Sequence, residues 1–212
     1  MNFVKARPRI VDEIVTRLGQ RYHLLQNREG IHATDCIYCL RKAYWNRVNP
    51  LPPTPAEILY YLRGLGMQDA LLGGKSGSLV SHQGIALSPD FFEDGTLAEL
   101  KTTMISEKTL DANEFPEGWL RQLMAYCYAL NLKSAVLIVL TIIKSKLLSY
   151  IVTFSSEELE ENWRWILERA KELGNAYEKN IVPKVEEEEK WQCSSCRYCL
   201  RCQTLEEGDN GS

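Results

Sequence analysis

The hydrophobic period of the chain changes along its length. Residues 9–25 alternate charged and apolar positions at helical spacing. Residues 32–49, HATDCIYCLRKAYWNRVN, continue that pattern and predict a second helix, stopped by Pro50, Pro52 and Pro53. Thr54 and Glu57 form a capping box, with Pro55 at the first helical position. They open a third helix that should reach Leu72 and end at Gly73 and Gly74.

The middle of the chain reads as strands. Residues 78–92, SLVSHQGIALSPDFF, and 96–103, TLAELKTT, predict two strands joined by a turn at Glu93, Asp94 and Gly95. A helix is expected over 119–130. Residues 134–143, SAVLIVLTII, and 147–154, LLSYIVTF, are unbroken apolar runs of the kind found in strands buried on both faces. Lys144, Ser145 and Lys146 make the turn between them. Ser155 with Glu158 is another capping box, opening a long helix to about Lys179 whose Trp163 and Trp165 should pack. Pro183 and the acidic run Glu186 to Lys190 read as a solvated linker.

This order predicts an α/β protein, a core sheet flanked by helices. Three parts are expected: a helical region over 1–74, a core with the long helix over 75–182, and a linker and tail over 183–212.

Composition narrows the picture. A chain of 212 residues suits one domain with at most a small appendage. A net charge of −3 gives no global attraction to nucleic acid, so phosphate contacts must rest on a local basic patch. The first ten residues lack the apolar centre of a signal peptide. The longest apolar run, Ala135 to Ile143, falls short of the ~20 residues that span a bilayer. The expectation is a cytoplasmic protein that makes no use of a membrane.

Charges stand out in the stretch SPDFFEDGTLAELKTT. Residues two apart on a strand share a face, so a hairpin would bring Asp90 beside Glu99 and Lys101. Two carboxylates on one wall make a hard oxygen site suited to Mg²⁺ or Mn²⁺, and a nearby ammonium can orient a metal-bound water. A cross-strand salt bridge on an exposed hairpin would use the same residues. Downstream, Gln122 and Tyr126 lie four apart on one helix face.

The chain has seven cysteines. In an intracellular protein they are not read as disulfides. Cys36 and Cys39 lie near one end, Cys193, Cys196, Cys199 and Cys202 near the other, and Cys127 between, where a small core residue is expected. Four thiolates hold either zinc or an iron–sulfur cluster. The pairs Cys36-x2-Cys39 and Cys193-x2-Cys196 would satisfy zinc.

Ser88-Pro89-Asp90, then Glu99-Leu100-Lys101, then Gln122-x3-Tyr126, resembles the PD-(D/E)xK nucleases of the RecB type. With a cysteine before Arg41-Lys42-x2-Trp45 and a terminal Cys-x2-Cys-x5-Cys, the chain looks like the CRISPR-associated RecB-like exonucleases, the Cas four family, over about residues 35–202. The resemblance implies a restriction-endonuclease-like core. It implies that Asp90, Glu99 and the backbone carbonyl of Leu100 hold Mg²⁺ or Mn²⁺ and that Lys101 assists the attacking water. Gln122 and Tyr126 would orient DNA and the lysine side of the site. Cys39, Cys193, Cys196 and Cys202 would hold a structural 4Fe–4S or 2Fe–2S cluster, leaving Cys36 and Cys199 spare. The implied activity is 5′ to 3′ exonuclease action on single-stranded DNA, in DNA repair or in trimming new CRISPR spacers with the integrase.

One position departs from the family. The usual Gly-x3-His would end, counting from Gly64, at Gln68, a weaker ligand. Two other readings follow: a catalytically weak or inactive DNA-binding scaffold of the same fold, and a zinc-stapled interaction protein. Arg41 and Arg121 neighbour the motifs and are the expected DNA contacts.

Overall fold

The computed structural model describes residues 9, 13, 16–20, 28–73, 79–186 and 192–209. The helix expected over 9–25 lies largely outside them, and its described residues are helical.

The second expected helix is broken. Ile31–His32 is a short strand, β1, and two helices follow, α1 (Ala33–Ile37) and α2 (Leu40–Val48). Between them Tyr38 is extended, with φ −105° and ψ −168°. The cause is tertiary. Arg169, from a distant helix, donates its Nε to the Cys36 carbonyl and its Nη2 to the Tyr38 carbonyl. Those carbonyls therefore do not need a continuing helix as partner.

The third helix, α3 (Pro55–Leu72), forms as its caps demand. The Thr54 hydroxyl accepts from the Glu57 N–H at 3.2 Å, and the Glu57 carboxylate accepts from the Thr54 N–H at 2.9 Å. Gly73 closes it at φ +61°, in the left-handed region that glycine enters freely.

The strand expected over 78–92 is three strands: β2 (Val80–His82), β3 (Ile85–Leu87) and β4 (Phe91–Glu93). Gln83 and Gly84, at φ +48° and +81°, turn the chain between β2 and β3. Pro89 separates β3 from β4 and cannot donate to a ladder. The order of the first sheet is β1-β3-β2, with β1 parallel to β3.

The second sheet has the order β4-β5-β6-β7. Asp94 and Gly95, both at positive φ, join β4 antiparallel to β5 (Thr96–Thr103). Strand β5 runs parallel to β6 (Ser134–Thr141), so the chain must cross over between them. The crossover is built from α4 (Glu107–Asp111) and α5 (Glu117–Ala129). Strand β7 (Lys146–Thr153) returns antiparallel to β6 and is followed by the long helix α6 (Ser156–Lys179). The last described element is α7 (Cys199–Asp209).

The two apolar runs are not equally buried. In β6 alternate residues are buried, with Leu137 and Val139 fully so. Strand β7 is the sheet edge and leaves Leu147 and Ile151 exposed. The inner faces of β5 and β6 pack on α5 and α6 through Leu97, Leu137, Val139, Leu123 and Ile166, and α1 adds Cys36 and Ile37 to the same core. Cys127 lies within it, as expected of a small core residue. Trp163 is buried and stacks on Tyr128, while Trp165 packs at its margin. The fold is mixed α/β, with two sheets and flanking helices. Among the described residues, no helix is long and apolar enough to cross a membrane.

Candidate active site

Register builds the site. Phe91 pairs with Ala98, so Asp90, just before β4, falls opposite Glu99. The Leu100 N–H donates to Asp90 Oδ2 at 2.9 Å, and the Asp90 N–H approaches Glu99 Oε2 at 3.4 Å. Glu99 and Lys101 pair with Leu137 and Val139 and so point to the inner face, which leaves Glu99 only 3% exposed. An unpaired carboxylate there would cost several kcal/mol, about 3–5. Lys101 supplies the partner: its Nζ donates to Glu99 Oε1 and to Gln122 Oε1, both at 2.7 Å.

Helix α5 closes the network. Gln122 Nε2 donates to the Tyr126 hydroxyl at 2.7 Å, one helical turn on, and that hydroxyl donates to the Ser88 carbonyl at 3.0 Å. An ammonium only donates, so it sets which end of the Gln122 amide faces Lys101. On the other side, Gln68 Nε2 of α3 donates to Asp90 Oδ1 at 2.8 Å. Gln68, Asp90, Glu99, Lys101, Gln122 and Tyr126 thus form one hydrogen-bonded path drawn from three parts of the chain.

The charges are strongly coupled. Burial, then the Glu99 carboxylate, raises the Asp90 carboxyl to about 7. Burial, the largest influence, works against the Lys101 charge, but Glu99, Tyr38 and Asp90 together outweigh it and hold the ammonium above its usual range. Burial also raises the Tyr126 phenol well above its ordinary value, so it acts as a neutral hydrogen-bonding group. Two carboxylates share one ammonium, and a cation would relieve that imbalance.

The two arginines expected to touch DNA also have partners within the protein. Arg41 is buried, and its Nε donates to the Pro183 carbonyl at 2.7 Å. Arg121 is bound to Glu117 and Asn162 and lies 3.9 Å over the Trp165 ring. Both sit near the motifs, as the sequence indicates, and both tie elements together.

The cysteine-bearing ends of the chain are brought to one place. Arg197 donates to the Leu51 carbonyl and to Asn46 Oδ1, each at 3.1 Å. Tyr198 donates to Asn46 Oδ1 at 2.9 Å, and Arg201 donates to the Asn49 carbonyl at 2.9 Å. These bonds dock the tail on the C-terminal end of α2, the end opposite the one that Cys39 caps. Burial raises the Cys202 thiol, Arg41 hydrogen-bonds it, and Cys196 and Cys193 act on it through their charge. Cys36 points into the core instead, where burial pushes its thiol up to about 12. Among the described residues, no three His, Cys, Asp or Glu side chains form a ready ion cage.

Two contributors were missed in the sequence. The Ser88 carbonyl anchors Tyr126, and the signal was the Pro89 that follows, since a residue before proline is held extended. Arg169 shapes the segment before Cys39 from 131 residues away, and no local pattern marks it.

The chain matches no protein-family model and no curated protein. Its fold is similar to the crystal structure of SSO0001, with a TM-score of 0.57 at 18% identity, over 91% of this chain and 96% of that one. An alkaline exonuclease (LHK-Exo) from Laribacter hongkongensis aligns at 12% identity over 77% of this chain and 92% of that one. Its TM-score is 0.49, and the likeness to SSO0001 is one of fold.

Proposed function

We propose that this chain is a divalent-metal-dependent nuclease that cleaves DNA, with Asp90, Glu99, Lys101, Gln122 and Tyr126 as its working set. The observation that carries this reading is the unbroken path from Asp90 to Tyr126. A salt bridge on an exposed hairpin would need neither burial nor partners from α3 and α5.

The donor set suits Mg²⁺ or Mn²⁺. Asp90 and Glu99 offer carboxylate oxygens beside the Leu100 backbone, all hard ligands, and the shortage of positive charge at Asp90 favours a cation. Gln68 adds an amide oxygen only if its side chain turns over. When bound, the cation would polarise a phosphoryl oxygen and activate water. Glu99 and Gln122 hold the Lys101 ammonium where it can stabilise charge on the phosphate and steady the attacking water. Tyr126 ties Gln122 to the Ser88 carbonyl and so restrains the lysine.

The finer reading is a 5′ to 3′ exonuclease on single-stranded DNA, trimming spacer precursors with the CRISPR integrase or serving repair. It rests on the resemblance of the motifs. The same holds for an iron–sulfur cluster, 4Fe–4S or 2Fe–2S, on Cys39, Cys193, Cys196 and Cys202. Arg41, two residues after Cys39, reaches the Cys202 thiol, on which Cys193 and Cys196 also act, and this supports that set. A cluster there would tie together ends distant in sequence and restrict the unfolded chain.

The test is cleavage of end-labelled single- and double-stranded DNA with Mg²⁺ or Mn²⁺, by wild type, Glu99→Ala and Lys101→Ala. Loss of metal-dependent cleavage in both variants is expected. Undiminished cleavage by both sinks the assignment. The Gln68–Asp90 hydrogen bond favours a second reading, a DNA-binding scaffold. Single-strand binding without degradation under either metal would establish it.

A further inference from the structure

The two edges of the larger sheet are built differently. Natural sheets blunt their edges with short strands, proline, bulges or charge, because unpaired N–H and C=O groups template further pairing. Strand β4, at one edge, has three residues. Strand β7, at the other, has eight, KLLSYIVT, without proline. Its register against β6 runs unbroken from Lys146 to Thr153, so no bulge turns it away. Its one charge is Lys146, at its start, and Glu107 holds that ammonium. Among the described residues, no strand pairs on its far side.

Register fixes what this edge presents. The Phe154 N–H donates to the Lys133 carbonyl at 2.8 Å, so alternate residues back to Lys146 bond toward β6. The backbone groups of Leu147, Ser149, Ile151 and Thr153 therefore point to the open edge. Those residues are also exposed, Ile151 at 79% and Leu147 at 55%. On the other face Tyr150 donates to Asp111 and packs on Phe115, which holds the strand in place.

The exposed pattern reads the same in both directions, with Leu147 and Ile151 flanking Ser149. Such self-complementarity is what a twofold interface requires, and a foreign strand would not need it. An antiparallel copy centred on Ser149 sets each Leu147 beside the partner's Ile151 and joins the two Ser149 residues by reciprocal N–H to C=O bonds. The ends match in charge. Exposed Lys144 precedes the strand and exposed Glu157 follows it, so antiparallel pairing brings the basic end of each copy to the acidic end of the other.

We propose that β7 is a dimerisation edge, through which two copies of this chain pair antiparallel about an axis at Ser149 and form one continuous sheet. The inference does not depend on the nuclease reading.

Sedimentation of the full chain at micromolar concentrations tests it. Wild type should run at twice the 24.3 kDa of one chain. Ile151→Lys should weaken the dimer about ten- to a hundredfold in Kd, since symmetry makes each substitution act twice. Its circular dichroism should stay that of wild type, because Ile151 is mostly exposed within one chain. Ser149→Pro removes an N–H that only the dimer uses, at an edge that tolerates proline, and should give a monomer. Hydrogen exchange reads the same edge without substitution. When wild type is diluted to monomer, the amides of Leu147, Ser149 and Ile151 should lose protection, while those of Leu148 and Tyr150 keep it. A wild type that sediments at 24.3 kDa throughout leaves this edge to another occupant and overturns the proposal. A dimer that both substitutions leave intact overturns it too. If neither variant folds, exchange in wild type decides: outward amides that exchange alike at every concentration overturn the proposal.

Discussion

Gln68 donates its side-chain amide to Asp90 Oδ1 at 2.8 Å, at the position where the resembled family carries a histidine. The contact neutralises nothing: it occupies a carboxylate oxygen that a metal would use. A neutral imidazole would offer a lone pair to the same place. Gln68→His is therefore expected to lower the Mn²⁺ concentration for half-maximal cleavage by about tenfold, within the range seen when groups around a metal are changed. A metal titration of activity, with calorimetry for binding, measures this. An unchanged midpoint would remove Gln68 from the metal site.

Asp90 makes metal-free stability depend on pH. Its carboxyl is raised from 3.8 to about 7 in the folded chain, by burial first and Glu99 second. The folded state thus keeps a proton that the unfolded state has already lost. The stabilisation is complete below about pH 4 and disappears as pH rises through about 7, a loss of at most ~4 kcal/mol. Urea denaturation in chelator at pH 5, 6 and 7 should show the decline, and Asp90→Asn should flatten it. Equal slopes in wild type and Asp90→Asn would refute the coupling.

Removing the Lys101 charge leaves Glu99 almost fully buried without its cation. Lys101→Met should cost roughly 3–5 kcal/mol in metal-free protein and reduce cleavage by at least ~100-fold. The double variant Lys101→Met with Glu99→Gln should regain most of the stability and none of the activity. Denaturation curves and single-turnover assays separate the two effects. Recovery of cleavage in the double variant would show that the pair serves folding alone.

Arg169 supports the segment that carries Tyr38 and Cys39. It is buried, bonds two backbone carbonyls and stacks 4.8 Å over Trp165. Arg169→Met leaves those carbonyls unpaired, and a cost of about 2–4 kcal/mol is expected. Urea midpoints measure it directly. A midpoint within error of wild type would mean the break between α1 and α2 holds itself.

The cysteines can be sorted by metal content. Cys202→Ser should abolish iron and the absorbance near ~400 nm in protein purified without oxygen, whereas Cys199→Ser should retain both. Cys193 and Cys196 act on the Cys202 thiol. Stoichiometric zinc in a colourless wild type would replace the cluster with a zinc staple.

Much of the fold was legible because its causes are local. TLAELKTT forms β5 over the residues its pattern marks, and Asp94-Gly95 makes the turn before it. Thr54 with Glu57, and Ser155 with Glu158, start their helices through bonds spanning three residues. The break after Ile37 was not legible, because its cause is an arginine 131 residues away. Nor was the division of residues 78–92 between two sheets, since β1 pairs with β3 across more than fifty residues. The partners of Arg41 and Arg121 were not legible for a similar reason: nearness to a motif says nothing of which groups a guanidinium meets.

By itself, the sequence determined which groups could do chemistry here. Asp90, Glu99 and Lys101 are spaced so that any hairpin at Asp94-Gly95 brings them together, and Gln122 and Tyr126 share a face of any helix. Strand and helix periods alone decide that much. Tertiary structure decided what surrounds them. Parallel pairing of β5 with β6 turned Glu99 and Lys101 inward, and the crossover helix laid Gln122 against the lysine. Burial then raised the Asp90 carboxyl. Desolvation and long-range contact depend on the whole packed chain, so no local spacing encodes them.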